Sequence, residues 1–91
     1  MREDLERKLE RIMETIIGST YCGYRIEKVR IQLNGAVAFG YSANERRYGV
    51  LRLDLSLDGF VVDASVVYKS DCETWVRDYY QAEVYYCVNR G

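Results

Sequence analysis

Asp54 and Asp63 are the two side chains whose type and spacing could support chemistry. They stand at equal distances from Asp58-Gly59, so a two-residue hairpin turn at that dipeptide would place the two carboxylates directly opposite each other on neighbouring strands. Adjacent carboxylates can bind a divalent cation, or share a proton with one pKa raised. Because two ligands alone hold a metal ion poorly, the favoured interpretation is a solvated face on which Arg52 bridges the pair. Asp54 and Asp63 remain a weak candidate for a metal site.

Other catalytic chemistry has few candidates. The chain contains no histidine, which excludes Cys-His and Ser-His nucleophilic sites and imidazole metal sites. No serine stands in a Gly-x-Ser-x-Gly sequence, and the spacing of Cys22, Cys72 and Cys87 fits no metal site. Each cysteine is expected to be a small, partly buried apolar side chain, with a Cys72–Cys87 disulfide as the alternative. We therefore expect a non-enzymatic protein without catalytic residues or a cofactor.

Charge is distributed unevenly along the chain, although the net charge is only −1. Residues 24–52 contain six basic and two acidic residues, a net charge of +4, whereas residues 53–91 contain three basic and seven acidic residues, a net charge of −4. A basic surface can bind the phosphates of RNA or DNA, and opposite poles can dock a charged protein or a second copy of the chain. The candidate nucleic-acid-binding residues are Arg25, Lys28, Arg30, Arg46, Arg47 and Arg52. An isoelectric point near 5.4 makes nucleic acid the less favoured partner.

Nine tyrosines and one tryptophan give the chain a large supply of aromatic side chains. Several lie near the C-terminus, and Tyr and Trp offer large contact areas at little cost in side-chain entropy. We predict that they form a protein-binding surface together with nearby acidic residues, or that a second copy of the chain covers them in a homodimer. The predicted partner-binding residues are Trp75, Tyr79, Tyr85, Asp78 and Glu83.

A β-hairpin must position the two aspartates. Four leucines alternate with polar residues from Leu51 to Leu57, and a second alternating run follows Asp58-Gly59. Strict alternation is typical of a strand with one buried face, and Asp-Gly favours a type I′ turn. The predicted cross-strand pairs, all on one face, are Leu57–Phe60, Leu55–Val62, Leu53–Ala64 and Leu51–Val66.

A second hairpin is predicted upstream of this one. A three-residue loop, Leu33-Asn34-Gly35, would pair Ile31 with Val37 and Val29 with Phe39. It would collect the large apolar side chains on one face, so we favour it over a two-residue turn that would separate them. Before the loop the apolar pattern changes phase, which indicates a β-bulge near Glu27-Lys28.

Residues 2–17 form the clearest predicted helix. Apolar side chains from Leu5 to Ile17 follow the spacing of one helical stripe, with charged residues on the opposite face. Gly18 is placed to end the helix. Because two heptads are too few for an isolated coiled coil, we expect the helix to pack on a sheet.

The C-terminal segment has two interpretations. Ser70-Asp71-Cys72-Glu73 matches a capping box, which favours a short helical turn over 71–78. However, residues 74–88 are rich in β-branched and aromatic side chains that alternate along the segment. We favour a strand over residues 75–88.

Together these elements predict a single α+β domain over residues 1–91. One N-terminal amphipathic helix packs on a curved antiparallel meander of four to five strands. The predicted strands cover 24–33, 37–42, 48–57, 60–69 and 75–88. No apolar segment follows the charged N-terminus, and no apolar run reaches the ~20 residues of a membrane helix, so we expect a cytoplasmic location.

The expected function is a small binding module that occupies a protein surface as an inhibitor or adaptor. RNA or DNA binding through residues 24–52 and small-ligand binding between helix and sheet are the alternatives. In size and helix-plus-sheet build the chain is similar to phage proteins that inhibit bacterial defence systems, including CRISPR systems, some of which imitate nucleic acid with acidic surfaces. That similarity is one of fold alone, without a shared motif.

Overall fold

A strongly curved antiparallel sheet of five strands lies between two helices. The computed structural model describes residues 2–90, with side chains for residues 4–85. Each strand pairs with the next in the chain, which confirms the α+β class, the N-terminal helix and the antiparallel meander. In chain order the elements are α1 (Arg2–Ile16), β1 (Thr20–Tyr21), β2 (Tyr24–Gln32), β3 (Gly35–Ser42), β4 (Arg47–Leu55), β5 (Val61–Ser70) and α2 (Glu73–Arg90).

One side of the sheet, the α1 face, packs against α1 and is mainly aliphatic. Ile16 of α1 is fully buried against it, with Ile12 and Met13 half-buried, whereas Leu5 is exposed. The buried residues of this cluster are Ile16, Tyr24, Ile26, Val29, Ala36, Ala38, Leu51 and Leu53. The β1–β2 turn also reaches across to β5, where the Cys22 thiol donates a hydrogen bond to the Ala64 carbonyl at 3.4 Å. The sheet is therefore almost closed into a barrel.

The other side of the sheet, the α2 face, packs against α2 and is rich in aromatic residues. Val37, Phe39 and Val50 are buried there beneath Val76 of α2. Half-buried side chains surround them, namely Tyr48, Val67, Tyr68, Tyr79, Tyr80 and Val84. Both faces of the sheet are consequently covered.

The strand predicted over residues 75–88 is wrong, because this segment lies within helix α2. The Cys72 carbonyl accepts the first helical bond from the Val76 amide at 3.3 Å, and Ser70 Oγ accepts a bond from the Cys72 amide at 3.0 Å. The helix therefore begins at Glu73, two residues after the start of the helical turn that the capping-box motif indicated, and Ser70 bonds the Cys72 amide rather than the Glu73 amide. Strand propensity is weak compared with packing, and a helix buries Val76, Tyr80 and Val84 together on the sheet.

The helix also excludes the Cys72–Cys87 disulfide. Cys72 is a free thiol that immediately precedes α2, and Cys87 lies on the same helix 15 residues further on. At 1.5 Å of rise per residue their Cα atoms are about 22 Å apart, whereas a disulfide requires less than about 7 Å. The side chain of Cys87 lies outside the described side chains.

The register predicted for the β2–β3 hairpin is also wrong. Gln32 pairs with Gly35, Ile31 with Ala36 and Val29 with Ala38, so the loop contains only two residues, Leu33 and Asn34. The prediction assumed that all large apolar side chains share the only buried face. Because α2 covers the second face, β3 instead directs its small side chains toward α1 and its large ones toward α2.

The β4–β5 hairpin is partly as predicted. Leu53 pairs with Ala64 and Leu51 with Val66, but the register shifts next to Leu55, which pairs with Val61 rather than Val62. The predicted two-residue turn at Asp58-Gly59 is replaced by a loop over residues 56–60. Within it the Ser56 amide bonds to the Phe60 carbonyl at 2.8 Å and Ser56 Oγ accepts a bond from the Phe60 amide at 3.1 Å. The Leu57–Phe60 and Leu55–Val62 pairs are therefore not formed.

Candidate functional site

The inner side of α2 is fully occupied by contacts within the molecule. Arg77 lies over the ring of Phe39, 4.8 Å from its centroid, and Tyr80 lies 6.1 Å from the same ring. At the start of the helix, Glu73 accepts a hydrogen bond from the Tyr48 hydroxyl and forms an ion pair with Arg77 at 3.3 Å. The bond from Tyr48, with the nearby Arg77, lowers the pKa of the Glu73 carboxyl. These contacts fix how the helix is rotated on the sheet.

That rotation leaves an outer stripe on α2, formed by Trp75, Asp78, Ala82 and Tyr85. The spacing of three, four and three residues places all four on one side of a helix. Trp75 is 62% exposed and Tyr85 is 69% exposed, and Asp78 and Ala82 are also exposed. The outer stripe therefore presents two large aromatic side chains and a carboxylate to solvent.

Two of the predicted partner-binding residues serve other contacts. Tyr79 stacks on Tyr68 with ring centroids 4.6 Å apart and an interplanar angle of 11°. Glu83 pairs with Arg52 at 3.1 Å. Alternation along a strand predicted that Trp75, Tyr79 and Tyr85 face outward together, but helical spacing turns Tyr79 toward the sheet. Of the predicted site, Trp75, Asp78 and Tyr85 lie together on the outer stripe.

The basic residues of β2 lie together on the α2 face. The register shifts between Ile26 and Lys28, which confirms the predicted bulge. The extra residue keeps Arg25 and Lys28 on the same side even though they are three positions apart. Arg30 follows on that side, since it pairs with Val37 while Lys28 pairs with Phe39. Without the bulge, Arg25 would lie on the opposite face.

Two further arginines lie at the β3–β4 turn, Arg46 within it and Arg47 as the first residue of β4. Its shape depends on Ser42 Oγ, which accepts a bond from the Glu45 amide at 3.1 Å, and on a positive φ of 57° at Arg46. The Glu45 carboxylate accepts a bond from the Tyr24 hydroxyl at 3.0 Å and pairs with Lys69 at 3.3 Å. Burial and the bond to Glu45 raise the pKa of Tyr24 to about 12, while the bonds from Tyr24 and Lys69 lower the pKa of the Glu45 carboxyl.

Five of the six candidate nucleic-acid-binding residues have no ion-pair partner within 4 Å among the described side chains. These are Arg25, Lys28, Arg30, Arg46 and Arg47. Arg52 differs because Glu83 neutralises it. The basic surface therefore consists of a β2 row on the α2 face and of Arg46 and Arg47 where the β3–β4 turn enters β4.

Asp54 and Asp63 are directly opposite each other on β4 and β5, as predicted. Both are exposed, and Arg52 bonds to Glu83 rather than bridging them. No group of three or more His, Cys, Asp or Glu suited to a metal ion is found in the described part of the chain. The arrangement is a pair of solvated carboxylates near the β4–β5 turn.

An apolar surface that the sequence did not predict lies at that turn. Leu57 is 97% exposed, and Phe60 and Val62 are also exposed, although all three were predicted to face the core. Ser56 gives the local signal for the longer loop, since a serine side chain commonly bonds the backbone of a turn. Leu33, in the β2–β3 turn at the same end of the sheet, is equally exposed.

A depression of about 710 Å³ lies at the opposite end of the sheet, beside the β3–β4 turn. It is not the groove between helix and sheet considered above, because Ile12, Met13 and Ile16 occupy that interface. Its lining includes Ile17, Arg25, Tyr41, Asn44 and Tyr48. The Tyr41 and Tyr48 rings are 4.7 Å apart, so the depression combines aromatic rings with a cation.

Neither helix, over the residues that the structure describes, has the length and apolar character needed to cross a bilayer. Comparisons with protein families, with curated proteins and with solved structures give no match to this chain.

Proposed function

We propose that this chain is a non-enzymatic binding module that acts through the outer stripe of α2 on the surface of another protein, as an inhibitor or adaptor. The observation that carries the proposal is the exposure of Trp75 on a regular helix. Exposed tryptophan and tyrosine side chains are enriched at protein interfaces because they bury large areas at little entropic cost.

The contacts of α2 with the sheet support a preorganised helix, whose outer stripe is held in place before a partner binds. Its inner side is anchored by the buried Val76 and by the Arg77–Phe39 contact, so the outer stripe loses little backbone freedom when a partner binds. A rigid helix that offers side chains at i, i+3, i+7 and i+10 matches the mode in which a helix occupies an apolar groove.

The negative charge of Asp78 on the outer stripe indicates the sign of charge expected on the partner. Asp78 lies between the two aromatic side chains of the stripe, and no cation lies within 4 Å of it among the described side chains. A groove that receives Trp75 and Tyr85 should therefore carry a basic residue at its rim.

The test is affinity capture from the organism that encodes the chain, with quantitative mass spectrometry. Trp75→Ala and Asp78→Lys should each reduce recovery of the same protein, because both belong to the outer stripe. Leu33→Ala is the control, since it removes a solvent-exposed apolar side chain from the β2–β3 turn, outside the outer stripe, and should not change recovery. A partner retained by both stripe variants, or no protein recovered by the unmodified chain, contradicts the proposal.

RNA or DNA binding is the second candidate, favoured by the β2 row of Arg25, Lys28 and Arg30, which lack ion pairs within the described part of the chain. Phosphate contacts would make affinity fall steeply with salt, with a slope that decreases by about one for each cation removed. Fluorescence anisotropy with labelled RNA and DNA would measure this. Lys28→Ala with Arg30→Ala should weaken binding, while Trp75→Ala should not, and an anisotropy that is flat with the unmodified chain excludes this function.

A further inference from the structure

We propose that this chain associates with further copies of itself head to tail, through the two opposite ends of the sheet. Alternate turns of a meander lie at opposite ends, so the β4–β5 turn and the β3–β4 turn are far apart. The apolar end consists of Leu57, Phe60 and Val62. The basic end consists of Arg25, Arg46, Arg47 and the depression beside them.

The apolar end has the composition of an interface. Leu57, Phe60 and Val62 lie within six residues of the chain and are 97%, 69% and 65% exposed. Monomeric proteins seldom expose contiguous apolar patches. The loop conformation that exposes Leu57 is held by backbone bonds between Ser56 and Phe60 and between Gly59 and Ser56, so the exposure is a property of the ordered turn.

The basic end offers a complementary surface. The depression there is lined by Ile17, Tyr41 and Tyr48, which can receive an apolar side chain. Its volume of about 710 Å³ lies within the range of pockets that hold small molecules or anchoring side chains. Arg25 and Glu27 line the depression, Arg46 stands in the adjacent turn and Arg47 begins β4 beside it.

Charge complementarity identifies the occupant as a second copy. Asp54 and Asp63 lie beside the apolar end, and no cation is within 4 Å of either among the described side chains. Lys8 of α1 also lies at this end, where its ammonium group donates a hydrogen bond to the Leu57 carbonyl at 3.3 Å. Docking this end against the basic end of another copy brings these carboxylates toward unpaired arginines. Two apolar ends facing each other would instead bring four unpaired carboxylates together, which is unfavourable.

A head-to-tail contact is heterologous, so each copy retains one free end of each kind and the assembly grows into rings or filaments. The outer stripe of α2 takes no part in the contact. Binding of another protein and self-association can therefore be tested independently.

Sedimentation velocity over a concentration series up to millimolar tests the inference. The unmodified chain should shift from 10.6 kDa to higher masses as concentration rises, and less so at high salt because exposed charges are screened. The head variant Leu57→Ser/Phe60→Ser and the tail variant Arg25→Glu/Arg47→Glu should each raise the dissociation constant by roughly tenfold or more. All four side chains are exposed, and circular dichroism checks that each variant remains folded.

Mixing the two variants gives the decisive result. The head variant keeps an intact tail and the tail variant keeps an intact head, so an equimolar mixture should form a one-to-one pair and stop at twice the mass of the chain. A symmetric apolar dimer predicts that the tail variant associates normally by itself. That result, or failure of the mixture to form the pair, overturns the proposal.

Trp75→Ala is the matched control for the removal of a large exposed side chain, and it should leave association unchanged. If Trp75→Ala abolishes association while the head variant does not, the outer stripe is the contact and the head-to-tail arrangement is wrong. An unmodified chain that stays monomeric throughout the concentration series also rejects it.

Discussion

The two faces of the sheet are built from different kinds of contact. The α1 face is filled by aliphatic side chains and small residues, and its one buried aromatic residue is Tyr24 among the described side chains. The α2 face is built around Phe39 with stacked tyrosines, and ion pairs such as Arg52–Glu83 surround it. An aliphatic core leaves a clear periodic pattern in the sequence, whereas an aromatic core bordered by charges does not.

The largest expected change in the free energy of unfolding comes from truncating one central side chain on each face of the sheet. Phe39 and Leu51 are both fully buried, so Phe39→Ala should reduce the free energy of unfolding by about 3–5 kcal/mol and Leu51→Ala by about 2–5 kcal/mol. Urea denaturation measures both values. A loss below about 1 kcal/mol for Phe39→Ala, with a full effect for Leu51→Ala, would show that α2 does not form a core of its own.

Unfolding at alkaline pH tests the hydroxyl group of Tyr24, a buried residue of the α1 face. In the unfolded chain Tyr24 loses its proton near pH 10.0, whereas in the folded chain its pKa is about 12. The stabilisation is therefore complete below pH 10 and is lost as pH rises toward 12. Tyr24→Phe should flatten this decline. An unchanged decline in that variant would assign the effect to other tyrosines, of which Tyr48 and Tyr80 also have raised pKa values.

Close packing on the α1 face can be tested at Gly49. A Cβ atom there would lie 2.7 Å from Cε2 of the buried Tyr24 ring, so Gly49→Ala should cost roughly 1–3 kcal/mol. The cost should shrink when Tyr24 is also replaced by Ala, since the two effects are not additive for residues in contact. Equal costs in both backgrounds would place the strain elsewhere.

The smallest expected effect is at the edge of the α2 face. Arg52 is 60% exposed in its ion pair with Glu83, so a double-mutant cycle with Arg52→Ala and Glu83→Ala should give a coupling of about 0.2–1 kcal/mol. Measurement at two salt concentrations should show the coupling decrease with salt. A coupling above about 2 kcal/mol would indicate that the pair is part of a buried network.

Alternation predicted β4 well because Leu51 and Leu53 both point to the α1 face. Side chains also alternate on β3, where Ala36 and Ala38 point to α1 while Val37 and Phe39 point to α2. The assumption that failed there is that the large side chains face the only buried side of the sheet. Grouping large side chains on one face is sound only when one face is buried. The wrong register of β2–β3 therefore follows from the missed helix α2, because α2 covers the second face of the sheet.

The candidate site also contains some residues whose exposure was predicted correctly and others whose contacts were not predicted. Trp75, Asp78 and Tyr85 were predicted to be partner-binding residues from their chemistry, and their positions on a helix rather than a strand still leave them exposed. Tyr79 and Glu83 were predicted in the same way, but their contacts with Tyr68 and Arg52 come from distant strands. No local pattern could reveal those contacts.

Local sequence by itself determined the amphipathic α1, the central pairing of β4 with β5 and the bulge in β2, because each depends on periodicity within a short segment. Tertiary structure decided that residues 73–90 form a helix, which register β2 and β3 adopt, and which side of that helix remains available. Those outcomes depend on whether the second face of the sheet is covered, and that is settled by the free energy of packing between segments far apart in the chain.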